Sequence, residues 1–369
     1  MPLVLSARIR GLQRTLLRTR EGLEMRIVGS VSAVIMYANK EVFIMKRFWI
    51  IDNEFASYNT EKNEFLSRYP DSEIYFSKEI NEKDVHSYAG EADALLCQIS
   101  VPVDEDFLRK LKKCKVVSVY GVGYNNVDLE AARKLGIAVT NVPGYCAEDV
   151  ADYVMAAIFR NNKPIDHYYT HLSNGLWGDL AAAEKPRRLS SQKLFIIGFG
   201  NIGRVLAEKA AGVGLSVLYY DAFKGKAMEI LEEKIGALRV TSIEEGLREA
   251  DIVSVHMALN DETRGYFSKK VFGMMKPGVQ FINASRGELV DEGALIEAVK
   301  SGIVSRATLD VLVNEPPKPG DPILSTPNIC VTPHISYLSS DSIHELQLRA
   351  ARNALDIVEG KDIPAIVNR

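Results

Sequence analysis

Histidine is the side chain best suited to exchange protons near neutral pH, and this chain of 369 residues contains six histidines. His256 follows an apolar, strand-like run. His334 lies in the segment Val-Thr-Pro-His-Ile, in which proline ends a strand and presents the next side chain at its carboxyl end. The remaining four occupy polar or helical stretches without chemical context: His86, His167, His171 and His344. The residues alone leave two interpretations of His334 open, an acid/base group and a hydrogen-bonded structural histidine.

A glycine-rich segment has the spacing of a turn that binds dinucleotides. Gly198, Gly200 and Gly203 form a G-x-G-x-x-G pattern between an apolar strand-like run and a helical pattern. The first glycine allows a tight turn, the second lets a pyrophosphate approach the backbone, and the third lets the helix pack closely on the strand. The amino terminus of that helix, at Asn201 and Ile202, is then expected to face the phosphates.

An acidic residue follows this pattern at the spacing of a ribose-binding carboxylate. Asp221 comes 23 positions after the first glycine, at the end of the next strand-like run. A carboxylate there accepts hydrogen bonds from the ribose hydroxyls of NAD and repels the 2′-phosphate of NADP. Lys224 and Lys226 are close enough in sequence to soften that repulsion. The pattern as a whole predicts NAD as the cofactor.

A second glycine-rich turn, at Gly121, Val122 and Gly123, follows the strand-like run over residues 116–119. Open parallel sheets usually bind ligands at the carboxyl ends of their strands. The backbone N–H groups of Val122 and Gly123 are therefore candidates for binding a substrate carboxylate. The alternative is a simple turn without a ligand.

Hydride transfer from a hydroxy acid requires a base for the hydroxyl proton, a cation for the carboxylate and a partner that holds the base. Three segments after the dinucleotide pattern contain such residues: Asn283-Ala-Ser-Arg-Gly-Glu-Leu-Val-Asp291, Leu309-Asp-Val-Leu-Val-Asn-Glu-Pro316 and Thr332-Pro-His334. In this order they resemble the three signatures of the D-isomer-specific 2-hydroxyacid dehydrogenases. The resemblance extends from around Phe48 to the end of the chain.

This resemblance implies catalytic roles for three residues. Arg286 binds the substrate carboxylate and carbonyl oxygen, His334 is the acid/base group, and Glu315 pairs with it. An arginine fork suits this role because it binds a planar carboxylate through two parallel hydrogen bonds. A carboxylate beside an imidazole raises the imidazole pKa, so that the histidine can protonate a keto oxygen near neutral pH.

The resemblance also implies the surroundings of the cofactor and the substrate. Asp310 is expected to face the nicotinamide, and His256, Ala284 and Ser285 are expected to contact the cofactor. Tyr337 either lines the substrate pocket or belongs to the core.

Short apolar runs alternate with helical patterns from Phe48 onward, in two series. Such alternation predicts parallel sheets that are covered by helices on both faces. The predicted fold class is α/β, with two Rossmann-like or flavodoxin-like domains built on doubly wound parallel sheets. A helix over residues 147–159 links the domains, and a capping box over residues 342–345 predicts a last helix that crosses back to the first domain.

The predicted boundaries define a discontinuous substrate (catalytic) domain, residues 45–146 plus 337–369, and an NAD-binding domain, residues 147–336. The first 20 residues contain five arginines and no acidic residue. For residues 1–44 we favour an N-terminal extension outside the fold over a targeting peptide or a structural segment. Family members usually dimerise through the cofactor domain, so the resemblance implies a homodimer with Leu176 and Trp177 in its arm.

Composition restricts the partners. The net charge of -3 provides no broad basic field for nucleic acid, and no apolar run approaches the roughly 20 residues of a membrane helix. No metal site is predicted, and reduced thiols in a cytoplasmic protein are expected, because the cysteines are far apart and lack metal-ligand spacing. The four cysteines are Cys97, Cys114, Cys146 and Cys330.

The sequence thus predicts an NAD-dependent oxidoreductase for a small 2-hydroxy or 2-keto acid. One alternative is D-3-phosphoglycerate dehydrogenase, although Gln98 stands where such members commonly carry an arginine and no regulatory domain follows His334. Another is an NAD(H)-sensing binding protein, because residues 141–146 and 334–338 resemble the branch that contains the C-terminal-binding-protein corepressors. A hydrolase with structural NAD is the third, and no additional nucleophile motif supports it.

Overall fold

The computed structural model describes residues 45–178 and 186–369. Within them the chain forms two parallel sheets, and each sheet has a cluster of buried apolar side chains on either face. The predicted α/β class with two doubly wound sheets is confirmed. The extension predicted over residues 1–44 lies outside the described residues.

Five strands form the first sheet: β1 (Arg47–Ile51), β2 (Glu73–Ser77), β3 (Ala94–Gln98), β4 (Val116–Tyr120) and β5 (Ala138–Thr140). The connections contain a π-helical turn at Val85–Ala89 and the helices α1 (Asn59–Arg68), α2 (Glu82–Asp84), α3 (Glu105–Leu108) and α4 (Leu129–Lys134). The strand order is β2-β1-β3-β4-β5, which is the flavodoxin-like order. Its switch point lies between β1 and β3, where such sheets bind ligands.

Helix α5 (Ala147–Asn162) leads from the first sheet to the second, and α6 (Ile165–Ser173) follows it. Val150 belongs to an apolar cluster of the first sheet, whereas Val154 and Ile158 belong to a cluster of the second. The helix predicted over residues 147–159 is therefore present and extends to Asn162.

Seven strands form the second sheet: β6 (Lys193–Ile197), β7 (Ser216–Tyr220), β8 (Leu238–Arg239), β9 (Ile252–Val255), β10 (Val279–Asn283), β11 (Val304–Leu309) and β12 (Ile329–Val331). Its helices are α7 (Asn201–Gly212), α8 (Lys226–Ile235), α9 (Ile243–Glu249), α10 (Lys269–Phe272), α11 (Glu292–Lys300) and α12 (Pro322–Ser325), with 3-10 turns at Leu189–Ser191 and Gly287–Leu289. The order β12-β11-β10-β9-β6-β7-β8 contains the Rossmann order and adds a seventh strand. The switch point lies between β6 and β9.

The last helix, α13 (Ser340–Val358), packs on the first sheet although it follows the second sheet in sequence. The hydroxyl of Ser118 in β4 donates a hydrogen bond to the carbonyl of Ala350 at 2.9 Å. Leu346 and Leu355 join the apolar cluster that covers β1, β3 and β4. The first sheet is thus built from the beginning of the described chain and covered by a helix from its end, as a discontinuous domain requires. The exact boundaries given above stay a prediction.

The capping box predicted over residues 342–345 is wrong by three positions. The N-cap of α13 is Ser339, whose hydroxyl accepts the N–H of Ser342, while the Ser342 hydroxyl accepts the N–H of Ser339, both at 3.0 Å. Glu345 instead forms an ion pair with Arg349 one turn later. Several serines in a row made the starting residue ambiguous, and the reciprocal bonds select the first one.

Two strands were not predicted. β2 is an edge strand in which Phe76 is 38 % exposed, and β8 contains only two residues, both exposed. The apolar run of β2, Ile74 to Phe76, is partly exposed at the edge of its sheet, and β8 has a single apolar residue, so neither has the fully buried run of the central strands. Among the helices of residues 45–178 and 186–369, none is long and apolar enough to cross a membrane.

Candidate active site

The predicted dinucleotide turn follows β6, at the switch point of the second sheet. Gly198 has the left-handed φ of +97°, and a Cβ on it would collide with the carbonyl group of His256 beyond the neighbouring strand. A Cβ on Gly203 would collide with the carbonyl of Gly198, so only glycine lets α7 pack this closely. Around Gly200, in contrast, no atom of the described residues lies within 4 Å of a Cβ position, its two chain neighbours aside. This arrangement leaves open the one position that a pyrophosphate must approach.

The amino terminus of α7 is open to an anion. Its N-cap, Gly200, has no side chain that could accept the N–H groups of the first turn. The backbone N–H groups at Asn201 and Ile202 are therefore available, and the positive end of the helix dipole favours a phosphate there. The side-chain oxygen of Asn201 accepts a hydrogen bond from Arg204 at 2.8 Å.

Asp221 directly follows β7, and hydrogen bonds hold its carboxylate against the glycine turn. Oδ2 accepts the N–H of Phe199 at 2.7 Å, and Oδ1 accepts the N–H of Phe223 at 2.9 Å. Each carboxylate oxygen retains a lone pair for another donor. The carboxylate can therefore accept the ribose hydroxyls of a dinucleotide bound on this turn.

His256 follows β9 and borders the same turn. Burial lowers the pKa of its imidazole to about 4, so the ring is neutral at neutral pH. Its Nε2 lies 2.8 Å from the hydroxyl of Ser254, whereas Nδ1 is buried without a hydrogen-bond partner in the described residues. Buried polar atoms rarely lack partners, so this nitrogen is available to a polar group of a cofactor. Together with the open glycine and the free helix terminus, it fits NAD.

His334 and Glu315, which follow β12 and β11, form a close pair. The distance between Nδ1 of His334 and Oε2 of Glu315 is 2.7 Å. This hydrogen bond raises the pKa of His334 above its usual value, although burial acts in the opposite direction. Burial would raise the pKa of Glu315, but the bond and charge of His334 outweigh it and hold that pKa below its usual value. Because Nδ1 faces Glu315, Nε2 is the nitrogen that remains to exchange a proton with a substrate.

Asp310, at the end of β11, holds the loop that carries His334. The carboxylate accepts hydrogen bonds from the N–H groups of Ile335 and Ser336 at 2.9 and 2.7 Å and from the hydroxyl of Thr332 at 2.6 Å. His334 has the left-handed φ of +53°, which costs a non-glycine residue about 1–2 kcal/mol. These bonds stabilise that conformation. Asp310 is 1 % exposed, and its predicted contact with the nicotinamide stays a prediction.

Arg286 follows β10 and reaches the second glycine-rich turn. The side chain of Asn283 fixes its loop, because Nδ2 donates to the Arg286 carbonyl at 2.8 Å and Oδ1 accepts the N–H and hydroxyl of Ser285. Ala284 packs between the apolar clusters of the two sheets. A Cβ on Gly123 would collide with Nη2 of Arg286. The structure thus brings together the two groups that the sequence proposed for a substrate carboxylate.

Gly287 brings the Arg286 loop onto the Glu315 loop. A Cβ on Gly287 would overlap the backbone of Leu312. The N–H of Leu312 in turn donates to Oε1 of Glu315 at 2.8 Å. Arg286, Glu315 and His334 therefore meet at the carboxyl ends of β10, β11 and β12.

Val122 and Tyr337 complete the residues predicted for the substrate. Val122 is 41 % exposed, and its carbonyl accepts the side-chain amide of Asn141 at 2.7 Å. The ring of Tyr337 lies 6.4 Å from the ring of His334 at 79°, and it also packs against an apolar cluster of the first sheet. Tyr337 therefore belongs both to the core and to the surroundings of His334. Its hydroxyl faces Glu54 at 3.4 Å.

Three residues near this site were missed by sequence reasoning. Gly287 lies inside the signature segment of residues 283–291, but its role depends on the backbone of Leu312, which is distant in sequence. Tyr153 lies on α5, where the helical period marked it as apolar; its hydroxyl is 2.6 Å from that of Thr332. Glu54 lies in a loop without any motif, so no sequence signal was available for it.

The fold and the site define a class, the NAD-dependent oxidoreductases that act on the CH–OH group of 2-hydroxy acids. Residues 155–336 match the family model described as D-isomer specific 2-hydroxyacid dehydrogenase, NAD binding domain. A glyoxylate reductase of Aeropyrum pernix is 33 % identical over 318 residues, which cover 84 % of this chain and 93 % of that protein. The chain belongs to the D-isomer-specific 2-hydroxyacid dehydrogenase family.

Two further proteins show the same similarity. A hydroxypyruvate reductase of Blautia hydrogenotrophica is 32 % identical over 288 residues, covering 77 % of this chain and 88 % of that protein. The crystal structure of a glyoxylate reductase from Paecilomyes thermophila has a TM-score of 0.75 at 26 % identity and covers 88 % of this chain and 98 % of its own. The comparisons favour neither D-3-phosphoglycerate dehydrogenase nor an NAD(H)-sensing binding protein, and the corepressor-like branch is not confirmed.

Proposed function

We propose that this NAD-dependent dehydrogenase reduces a 2-keto acid of the size of glyoxylate or hydroxypyruvate to the D-2-hydroxy acid. The names of the similar reductases support this size of substrate. The observation that carries the proposal is the pair of His334 and Glu315, 2.7 Å apart, at the same sheet edge as the half-buried Arg286.

Each of the three residues has one task in this proposal. The guanidinium of Arg286 binds the carboxylate of the keto acid and orients its carbonyl oxygen. His334, protonated while Glu315 holds Nδ1, donates the Nε2 proton to the oxygen that becomes the hydroxyl. Glu315 stabilises the imidazolium form and fixes the ring. NADH, when bound, supplies the hydride.

The groups that would hold NAD lie around the glycine turn and the sheet edge. The backbone at Gly200, Asn201 and Ile202 faces the pyrophosphate, and Asp221 accepts the ribose hydroxyls. The neutral ring of His256 and the loop of residues 284–285 border the same space. These assignments rest on the open turn and the unpartnered Nδ1 of His256.

A homodimer is part of the proposal, with α6 and the segment after it as the contact. Ile165 and Tyr169 on α6 are each 72 % exposed, and Trp177 is 78 % exposed. Exposed apolar and aromatic side chains of this size are frequent at protein interfaces. Sedimentation of the purified protein at dimer mass, and at monomer mass for Tyr169→Glu, is the expected result.

We also place the protein in the cytoplasm. Cys97 and Cys114 are buried and unpaired, and burial raises the pKa of each thiol to about 12. Free thiols are typical of proteins in a reducing compartment. Fractionation of cells that express the native chain tests this location.

The substrate proposal is tested with NADH and a panel of glyoxylate, hydroxypyruvate and pyruvate, followed at the nicotinamide absorbance. We expect reduction of at least one of them, and loss of about 100-fold or more in kcat/KM for Arg286→Lys, since a point charge cannot replace the fork. The matched control is Arg264→Lys, because Arg264 pairs with Glu288 at the surface. Absence of turnover with every keto acid, or equal effects of the two variants, would contradict the proposal.

A further inference from the structure

Glu54 occupies the place where the first sheet is expected to bind ligands. It lies three residues beyond the end of β1, and β1 borders the switch point of that sheet. Gln98, the last residue of β3, borders the same point from the other side. The side chain of Glu54 is exposed, so its carboxylate is accessible to a small molecule.

Tyr337 connects Glu54 to His334. The Tyr337 hydroxyl donates a long hydrogen bond of 3.4 Å to Oε2 of Glu54, and the Tyr337 ring stands nearly perpendicular to the His334 ring. Glu54 and the proton donor therefore border the same space.

The wall of the first sheet around Glu54 is anionic. Asp52 accepts hydrogen bonds from Gln98 at 2.7 Å and from the Tyr58 hydroxyl at 2.6 Å, and these donors are neutral. Neither Asp52 nor Glu54 forms an ion pair with a lysine or arginine of the described residues. Partial burial of the carboxylate, and then the charge of Asp52, raises the pKa of Glu54 above its usual value. A second anionic group on this side therefore meets two carboxylates that no lysine or arginine of the described residues neutralises.

A bound 2-keto acid has three groups on its keto carbon. If Arg286 holds the carboxylate and His334 faces the oxygen, the remaining group, at C3, is directed away from both. Tyr337 and Glu54 are the groups of the first sheet that border His334. The substituent at C3 is therefore placed toward the anionic wall.

We propose that Glu54 is a specificity-determining residue. It accepts 2-keto acids whose C3 substituent is neutral, with a hydroxyl able to donate a hydrogen bond to its carboxylate, and it repels those that carry a second carboxylate or a phosphate. This inference rests on the proposed reduction of a 2-keto acid. We therefore expect phosphorylated three-carbon acids to be poor substrates.

The test compares oxaloacetate with its 4-amide, 2-oxosuccinamate, which has nearly the same shape and one charge less. We expect kcat/KM of the parent protein to be higher for the amide than for oxaloacetate. In Glu54→Gln the ratio of these two kcat/KM values should fall about tenfold, because the repulsion between two like charges in a partly screened site is lost. Glu54→Lys should reverse the preference. Added salt should reduce the ratio for the parent and leave that of Glu54→Gln nearly unchanged.

Glu79→Gln is the matched control, because Glu79 is an exposed acid after β2 at the same edge of the sheet. It should keep the parent ratio. The role of Glu54 would be overturned if the amide-to-oxaloacetate ratio is unchanged in both Glu54 variants, or if it changes equally in Glu79→Gln. If glyoxylate is still reduced in that case, the proposed function stands. A parent protein that reduces no keto acid would overturn both.

Discussion

Replacing Glu315 by glutamine removes the charge beside His334 while nearly preserving the size of the side chain. In the parent protein Oε2 faces Nδ1 of His334 at 2.7 Å, and Oε1 accepts the N–H of Leu312 at 2.8 Å. A glutamine has only one oxygen. If the glutamine oxygen keeps the bond to the Leu312 N–H, the glutamine NH2 group faces Nδ1 of His334 and disfavours the imidazolium. If the oxygen instead faces His334, the Leu312 N–H loses its acceptor.

The magnitude follows from the bond that is lost. A hydrogen bond to a charged group contributes about 1.5–3 kcal/mol, so kcat/KM for keto-acid reduction above neutral pH should fall about 10- to 100-fold in Glu315→Gln. The direction in which the pH profile moves follows from the raised pKa of His334, since reduction needs the protonated ring. Without the carboxylate this pKa falls, and the reduction rate must decline at a lower pH than in the parent.

The assay is the pH profile of kcat/KM for NADH-dependent glyoxylate reduction, across the range in which imidazole titrates. The control is Glu292→Gln, since Glu292 also accepts a backbone N–H of this region, that of Val313 at 2.8 Å, but has no hydrogen bond to His334. Its profile should coincide with that of the parent. A Glu315→Gln profile that is lower in height yet unshifted along the pH axis would refute the role of Glu315 in setting the protonation of His334.

Asp221→Ala should narrow the preference for NADH over NADPH, because the charge that repels a 2′-phosphate is lost. Equal kcat/KM values with both cofactors in the parent protein would refute the binding of the ribose hydroxyls by Asp221. Asp310→Asn should lower the free energy of unfolding by about 1–3 kcal/mol, because one acceptor facing Thr332, Ile335 or Ser336 becomes a donor. An unchanged melting temperature and an unchanged kcat would argue against the role of Asp310 in holding the loop of His334. Deleting residues 1–44 should preserve activity and melting temperature, because β1 begins at Arg47, and an insoluble product would show that the segment is structural.

Most strands of the second sheet, though not β8, could be predicted from the sequence, because local patterns encode them. Strands such as Ile252–Val255 are buried on both faces and read as continuous apolar runs. The spacing of Gly198, Gly200 and Gly203 reflects turn geometry within six residues, and the structure shows the collisions that exclude other side chains at the first and third positions.

What could not be predicted depends on contacts between distant segments. The three hydrogen bonds to Asp310 come from a loop more than twenty residues later, so its resemblance to a cofactor-facing residue gave no sign of them. Gly287 is required by the backbone of Leu312, and Glu54 is placed beside Tyr337 only by the packing of α13 on the first sheet. Such positions have no local signature in the sequence.

The proton-donor role of His334 is tested most directly by His334→Ala, measured with NADH and the best keto acid of the panel. The expected result is a loss of kcat on the order of 10²–10⁴-fold, with the affinity for NADH nearly unchanged because the dinucleotide turn lies elsewhere. His344→Ala, on the exposed side of α13, serves as the control and should resemble the parent. A His334→Ala protein that retains a kcat close to that of the parent would contradict the proposed mechanism.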